Sequence, residues 1–344
     1  MLEHGGHLVD AAQKYNIPLD SWIDLSTGIN PNGWPIPKIP ADCWQRLPES
    51  SDGLVSAARH YYQCHSILPV AGSQAAIQAL PLLRKKSRVG VLTPAYAEHG
   101  YSWGNAGHDV IELTVDTIET QLPKLDVLIL INPNNPTGQR FSKEQLLRWH
   151  NLLTQHNGWL IIDEAFIDTA PEHSLSSHPV SNGLIILRSV GKFFGLAGIR
   201  CGFVIASDIL LHSLNEKLGP WTISHPSRYI ASAALLDTNW QQQTQAVLIK
   251  RAYRLALLLT RHGLKPESQT DLFHWVKTPS AKQIHQHLAR HGILTRLFSQ
   301  PLSLRFGLPK NQQQELYLEE ILLKTSKMSD LEPMPLLKDT LSTL

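Results

Sequence analysis

Cysteine is scarce in this chain: Cys43, Cys64 and Cys201 are the three among 344 residues. They lie far apart and form no CxxC pair, which excludes a zinc ribbon and a thioredoxin-type redox motif. An odd, sparse set of thiols fits a reducing compartment. An excess of one charge is missing too. The 31 Lys+Arg stand against 29 Asp+Glu, a net +2, so neither nucleic acid nor an anionic membrane is expected as the main partner. Long apolar runs are absent. Stretches such as Val127–Ile131 fall far short of a membrane span, and the opening MLEHGGHLVDAAQK has no apolar signal-peptide core. A cytoplasmic protein is therefore the expectation. A hydrophobic content of 42% is too high for disorder, and the length suits about two domains.

Histidine, by contrast, is abundant, at 17 residues. His287 and His291 have i, i+4 spacing and share a helix face, but no acidic residue joins them as in HExxH. His4 and His7 have no matching ligand cluster. No metal site is expected.

The stretch from Trp22 to Pro48, with its DLSTGINPNGWPIPKIP, is rich in Pro, Gly and Asn and reads as an extended, turn-rich arm. Leu54–Gln63 reads as a helix. From about residue 68, short apolar runs alternate with helical segments. Strands are expected at Val89–Thr93, Val110–Val115, Val127–Ile131, Leu160–Asp163, Leu184–Leu187 and Gly202–Ala206. A helix is expected at Ser142–Gln155, with Ser142 and Gln145 suited to a capping box. This alternation predicts an α/β fold, a mostly parallel sheet with helices on both faces. After about residue 208 come long helical patterns at Ile209–Lys217, Tyr229–Leu236 and Trp240–His262. A strand at Phe273–Val276, a helix at Ala281–His291 and a strand at Ser303–Phe306 then suggest a smaller α+β unit. The expected division is an arm and small-domain segment over 1–48, a large domain over 49–225, a small domain over 226–325, and a tail over 326–344 without clear period.

Four short stretches suggest chemistry. Gly72-Ser73-Gln74 follows an apolar run and opens a helix-forming sequence. A helix start offers unpaired N–H groups to an anion, and it is also what an ordinary N-cap looks like. Asn132-Pro-Asn-Asn135-Pro136-Thr137-Gly138 follows a buried strand, and its prolines and asparagines make a rigid loop where ligands bind in open α/β sheets. Asp163 ends the apolar Trp159-Leu-Ile-Ile, where a carboxylate needs a cation or several donors unless it caps the next loop. Finally, Ser189, Lys192 and Arg200 lie in RSVGKFFGLAGIRCG, among glycines and aromatics. A lysine in apolar surroundings can act as an amine nucleophile, and Ser and Arg suit a phosphate. It is not a Walker A loop, because Ile186 stands where that motif needs Gly.

In this order the four stretches resemble the fold-type I pyridoxal-phosphate (PLP) enzymes of the aspartate-aminotransferase superfamily, over roughly residues 22–310 and most specifically in NPNNPTG, DEAF and SVGKFFGLAGIRCGF. The resemblance implies that family's transferase fold, with pyridoxal 5'-phosphate as cofactor. It makes Lys192 the lysine that binds the cofactor covalently and Asp163 the partner of the pyridine nitrogen. Asn135 would bond the ring's 3′-oxygen, and Tyr96 would stack on the ring. Backbone N–H groups at Ser73 and Gln74, with Ser189 and Arg200, would hold the phosphate. Arg305 would receive the substrate carboxylate.

Within the superfamily the chain is similar to the histidinol-phosphate aminotransferase branch and, more narrowly, to the cobalamin-pathway L-threonine-O-3-phosphate decarboxylases. His4-Gly5-Gly6, the run Trp22 to Pro31, the arm Trp44 to Glu49, and Asp163-Glu-Ala-Phe166 carry this likeness. It implies a phosphorylated amino acid as substrate, met by His4, Gly5, Gly28, Asn135, Arg296 and Arg305, and a homodimer. Two residues depart from the aminotransferase pattern. Leu47 stands where many have a tyrosine reaching the neighbouring subunit's cofactor, and Phe166 stands where a tyrosine commonly donates to the 3′-oxygen. Both fit the decarboxylase, whose product would be (R)-1-amino-2-propanol O-2-phosphate. The alternative is an aminotransferase acting on histidinol phosphate or a similar amino acid.

Overall fold

The computed structural model describes residues 5–326. Its strands are β1 (Ile23–Leu25), β2 (Ile67–Val70), β3 (Arg88–Leu92), β4 (Asp109–Leu113), β5 (Val127–Ile131), β6 (Trp159–Asp163), β7 (Leu184–Ser189), β8 (Gly202–Ile205), β9 (Ser268–Gln269), β10 (Phe273–Lys277), β11 (Ile293–Ser299) and β12 (Leu302–Gly307). Its helices are α1 (Leu8–Tyr15), α2 (Asp42–Gln45), α3 (Leu54–Tyr62), α4 (Gly72–Ala79), α5 (Glu98–Asn105), α6 (Ile118–Gln121), α7 (Lys143–Thr154), α8 (Asp208–Leu218), α9 (His225–Leu236), α10 (Thr238–Arg261), α11 (Ala281–Arg290) and α12 (Gln312–Ser326). Among described residues, 29–248 form one compact unit, and 5–28 with 249–326 form a second. No helix among them is long and apolar enough to cross a membrane.

The first unit holds a seven-stranded sheet in the order β2-β8-β7-β6-β5-β3-β4. β8 runs antiparallel to both its neighbours, while the other pairings are parallel. Six strands therefore point one way, and the loops that follow them emerge at one edge. β5 reads VLILI and is buried at every position, as a strand covered on both faces must be. Val89, Val127, Ile129, Ile161 and Leu187 pack with Trp103 into the core on one face. Ser142 caps α7 by accepting from the Gln145 N–H at 3.2 Å.

The second unit holds a five-stranded sheet, β1-β11-β12-β10-β9. β1 lies parallel to β11, and the other pairs are antiparallel. Ala11 of α1, Trp22 and Ala289 of α11 form a small apolar cluster beside it.

The unit boundaries differ from the sequence reading at two places. Residues 29–48 and 226–248 belong to the first unit, because side chains tie them there. Arg228 pairs with Asp52 through Nη2 at 2.8 Å, and Trp34 Nε1 donates to Asp237 at 2.9 Å. The arm is not wholly extended either: it begins with the strand β1 but also contains the short helix α2. The amphipathic α1 and the strand β11 had no counterpart in the sequence reading. The expected 326–344 tail lies, apart from Ser326, outside the described residues.

Candidate active site

The loops after β3, β5, β6 and β7 and the start of α4 meet at one edge of the first unit's sheet. Asp163 closes β6 and is 3% exposed. Its Oδ1 accepts from the Ala165 N–H at 3.0 Å, and its Oδ2 lies 3.0 Å from His99 Nε2. An ionised carboxylate only accepts, so that nitrogen carries the proton. His99 sits in the first turn of α5, three residues beyond Tyr96. The sequence reading missed it, although a histidine at that spacing from the tyrosine expected to stack on the ring was the available signal. The two rings meet edge-on at 6.2 Å. Burial first, then the charges of Glu98 and Asp163, push the Tyr96 phenol up to about 12.

Lys192 follows β7. Its Nζ lies over the Phe166 ring at 5.4 Å. The loop is fixed from beneath by Phe193 and Phe194, both fully buried. Phe194 stacks on Trp240 at 5.7 Å, and Phe193 meets Trp240 at 5.4 Å. Each such ring contributes about 1.5–3 kcal/mol of burial. From the other side, residues 30–34 clamp the loop's backbone. The Asn30 N–H donates to the Lys192 carbonyl at 3.0 Å, and Asn30 Nδ2 donates to the Phe193 carbonyl at 3.0 Å. The approach requires glycine: a Cβ on Gly195, whose φ is +67°, would fall 2.5 Å from Gly33 Cα.

The helix start at α4 is equally constrained. Gly72 has φ +69°, and a Cβ there would lie 2.7 Å from Arg200 Nη2, so the guanidinium sits directly on this turn. Arg200 itself is exposed, in left-handed backbone at φ 50°, with Nη1 donating to the Ala197 carbonyl at 3.2 Å. Ser189 faces Gly202 across the β7–β8 ladder, and its Oγ accepts from the Gly191 N–H at 3.1 Å. A Cβ on Gly202 would fall 2.6 Å from the Ser73 backbone nitrogen. Ser73, Ser189 and Arg200 are thus gathered at one turn, with Gln74 next along α4. Asn135 is half-buried in its loop, and the neighbouring Asn134 ties that loop to β3's by donating to the Pro94 carbonyl at 2.9 Å.

Behind this surface lies a buried ion cluster that the sequence reading did not find. Arg188 Nη1 donates to Glu164 at 2.8 Å, and Nη2 to Asp168 at 2.5 Å. Glu164 follows Asp163 and Arg188 precedes Ser189, so alternation along β6 and β7 directs this pair to the opposite face. Burial opposes the charge on Arg188, but Asp168 and Glu164 outweigh it and hold its pKa above the ordinary value.

In the second unit, Arg296 of β11 and Arg305 of β12 are directly opposed in the ladder. Like charges so placed repel, which suits a site that receives an anion. Burial first, then Arg296, lower Arg305 to about 10, with Asp24 pulling the other way. Arg305 donates to the Ser26 carbonyl at 2.6 Å and lies over Phe273 at 5.2 Å. Ser26 Oγ accepts from the Gly6 N–H at 2.8 Å, and a Cβ on Gly5 would meet the Ser26 carbonyl oxygen at 2.5 Å. Gly5 and Arg305 thus converge on Ser26. Gly28 is buried just beyond it. His4 lies outside the described residues.

Comparison with known proteins gives this arrangement a family. The family model for aminotransferase class I and II matches residues 51–319, and the chain belongs to that family. It is 51% identical to a threonine-phosphate decarboxylase from Pseudomonas aeruginosa over 94% of this chain and 98% of that one. It is 38% identical to a threonine-phosphate decarboxylase from Sinorhizobium sp. over 89% and 92% of the two chains. Among solved structures, a histidinol-phosphate aminotransferase from Clostridium acetobutylicum superposes with a TM-score of 0.79 at 22% identity, covering 89% of this chain and 99% of that one.

Proposed function

We propose that the protein is a PLP-dependent decarboxylase of L-threonine O-3-phosphate, releasing CO₂ and (R)-1-amino-2-propanol O-2-phosphate for cobalamin synthesis. The observation that carries this reading is the 51% identity, across nearly the whole of both chains, to an enzyme of that name.

The residues of the first unit fit the cofactor. A glycine cradle at Gly72 with Arg200 against it, at a helix start, suits a phosphate. A buried carboxylate at Asp163 suits a ring nitrogen that must stay protonated. When bound, PLP supplies a pyridinium ring that takes up the electrons of a bond broken at the substrate's Cα. Asp163, oriented by His99 and the Ala165 N–H, would hold the proton on the ring nitrogen. Asn135 would bond the 3′-oxygen, and Tyr96 would cover the ring face. Lys192 Nζ, or a nearby acid, would hand a proton to Cα as CO₂ leaves, while Phe166 beside Lys192 offers an apolar wall and no hydroxyl. Taken by itself, the second unit offers Arg305, whose guanidinium suits a carboxylate. Arg296, directly opposite it in the β11–β12 ladder, adds a second guanidinium suited to an anionic group such as a phosphate.

The reading includes a cytoplasmic homodimer. Ile36, Trp44 and Leu47 of the arm are 57%, 67% and 62% exposed in the single chain, three apolar side chains that a second copy would cover. Three buried free cysteines suit a reducing compartment. The test is to supply L-threonine phosphate and follow CO₂, then to supply histidinol phosphate with 2-oxoglutarate and follow glutamate. Glutamate without CO₂ would make the protein an aminotransferase and overturn the reading.

A further inference from the structure

The first turn of α5 carries two polar side chains with different destinations. His99 reaches Asp163. Glu98 reaches Gln74, whose Nε2 donates to Glu98 Oε2 at 2.7 Å. The other end of the same amide, Gln74 Oε1, accepts from the Tyr96 hydroxyl at 3.2 Å. These contacts run in series, and their polarity is set by chemistry. An ionised carboxylate has no proton to give, so the Gln74 NH₂ must face Glu98. The carbonyl end is then left for Tyr96, and the phenol must be the donor.

We propose that Glu98 is a positioning residue: by fixing which way the Gln74 amide points, it fixes the Tyr96 hydroxyl and with it the plane of the ring. Gln74 is the third residue of α4, so its own backbone N–H is among the unpaired donors of that helix start. One side chain therefore couples the turn that would hold the cofactor phosphate to the ring that would cover the cofactor. Glu98 is well sited for this, since a carboxylate in the first turn of a helix is favoured by the helix dipole. If its charge is removed, the amide is freer to turn over and present NH₂ to the phenol, whose oxygen must then accept while its O–H turns away from Gln74, so the hydroxyl loses its set direction. The inference rests on the reading that Tyr96 lies against PLP.

The experiment measures PLP affinity by titrating cofactor-free protein, with the visible absorption band of the bound cofactor as a second readout. Glu98→Gln is expected to weaken PLP binding about five- to ten-fold, the effect of one charge-assisted hydrogen bond. Tyr96→Phe, which keeps the ring and removes the hydroxyl, is expected to lose a similar factor. The double variant is expected to lose no more than either single one, because both break one chain of contacts. Losses that multiply in the double variant, or a lower melting temperature of the cofactor-free Glu98→Gln protein with unchanged PLP affinity, would overturn the proposal. Tyr96→Ala separates the two levels of inference. If it binds PLP as tightly as wild type, the ring assignment fails and the proposal falls with it. If it binds weakly while Glu98→Gln does not, the proposal alone fails.

Discussion

Replacing Arg188 by methionine should be among the most damaging single changes in the first unit. The residue is 2% exposed, and Glu164 and Asp168 are 0% and 1% exposed, so three charges share a site that water does not reach. Arg188 also donates to Ser174 Oγ at 2.9 Å and lies over the Tyr62 ring at 4.5 Å. Arg188→Met keeps most of the side-chain volume but leaves two buried carboxylates facing each other with no cation. Breaking a buried pair by deleting one partner costs about 3–5 kcal/mol. For a unit of this size that corresponds to a fall of about 6–20 °C in melting temperature, at about 2–4 °C per kcal/mol. The loss should depend on pH in a definite direction. Burial already raises the Asp168 carboxyl, and Arg188 is the main influence opposing it. Without Arg188 it rises further. A carboxyl whose folded pKa lies above its unfolded one costs stability once the pH exceeds the unfolded value of about 4, so the deficit should be small near pH 4.5 and large at pH 7. Unfolding of the cofactor-free protein at those two pH values is the assay. A deficit under about 1 kcal/mol, or one equal at both pH values, would refute the reasoning.

Lys192→Ala should abolish both the visible band of the bound cofactor and CO₂ release. Absorption spectroscopy with added PLP checks the first, and an unchanged band would remove Lys192 from the site. Gly202→Ala should weaken PLP binding at least ten-fold, since its Cβ would meet two backbone atoms that cannot swing away, Ser73 N at 2.6 Å and the Arg188 carbonyl oxygen at 2.8 Å. Overpacking of this kind costs about 1–3 kcal/mol, whereas Gly198→Ala, with nothing within 4 Å, should bind PLP like wild type in the same titration. His274 is fully buried with Nε2 2.8 Å from the Ala252 carbonyl, and burial lowers it from 6.5 to about 4. Its unfolded form takes up a proton first, so stability should fall by about 3 kcal/mol as the pH drops from about 6.5 to about 4. A His274→Gln variant should lack that part of the acid loss in unfolding curves, and an identical acid profile would refute the assignment.

The strands of the large sheet were legible because they are local. Val127–Ile131 and Gly202–Ile205 are apolar runs bounded by turn residues, and a strand buried on both faces needs nothing else to declare it. The helix at α7 announced itself by its cap. α1 and β11 did not, since β11 carries Thr295, Arg296 and Ser299 among its apolar residues and lacks a clean alternation. The same split runs through the candidate site. Asp163, Lys192, Ser189 and Arg200 stand in short stretches whose residue types and spacing suggest their chemistry without reference to the rest of the chain.

What the sequence alone determined, then, is where the strands of the large sheet fall along the chain and which short stretches hold the candidate groups, because periodicity and motif spacing are properties of consecutive residues. Only the tertiary structure decided which groups face one another. His99 meets Asp163 across 64 positions of chain, and Arg305 meets Ser26 across 279. Arg296 stands opposite Arg305 because the β11–β12 register sets them there. Arg188 holds Glu164 and Asp168 because burial leaves those carboxylates no water to turn to. Partners of buried charges, ladder registers and amide orientations are fixed by long-range packing, and no local pattern in the chain encodes them.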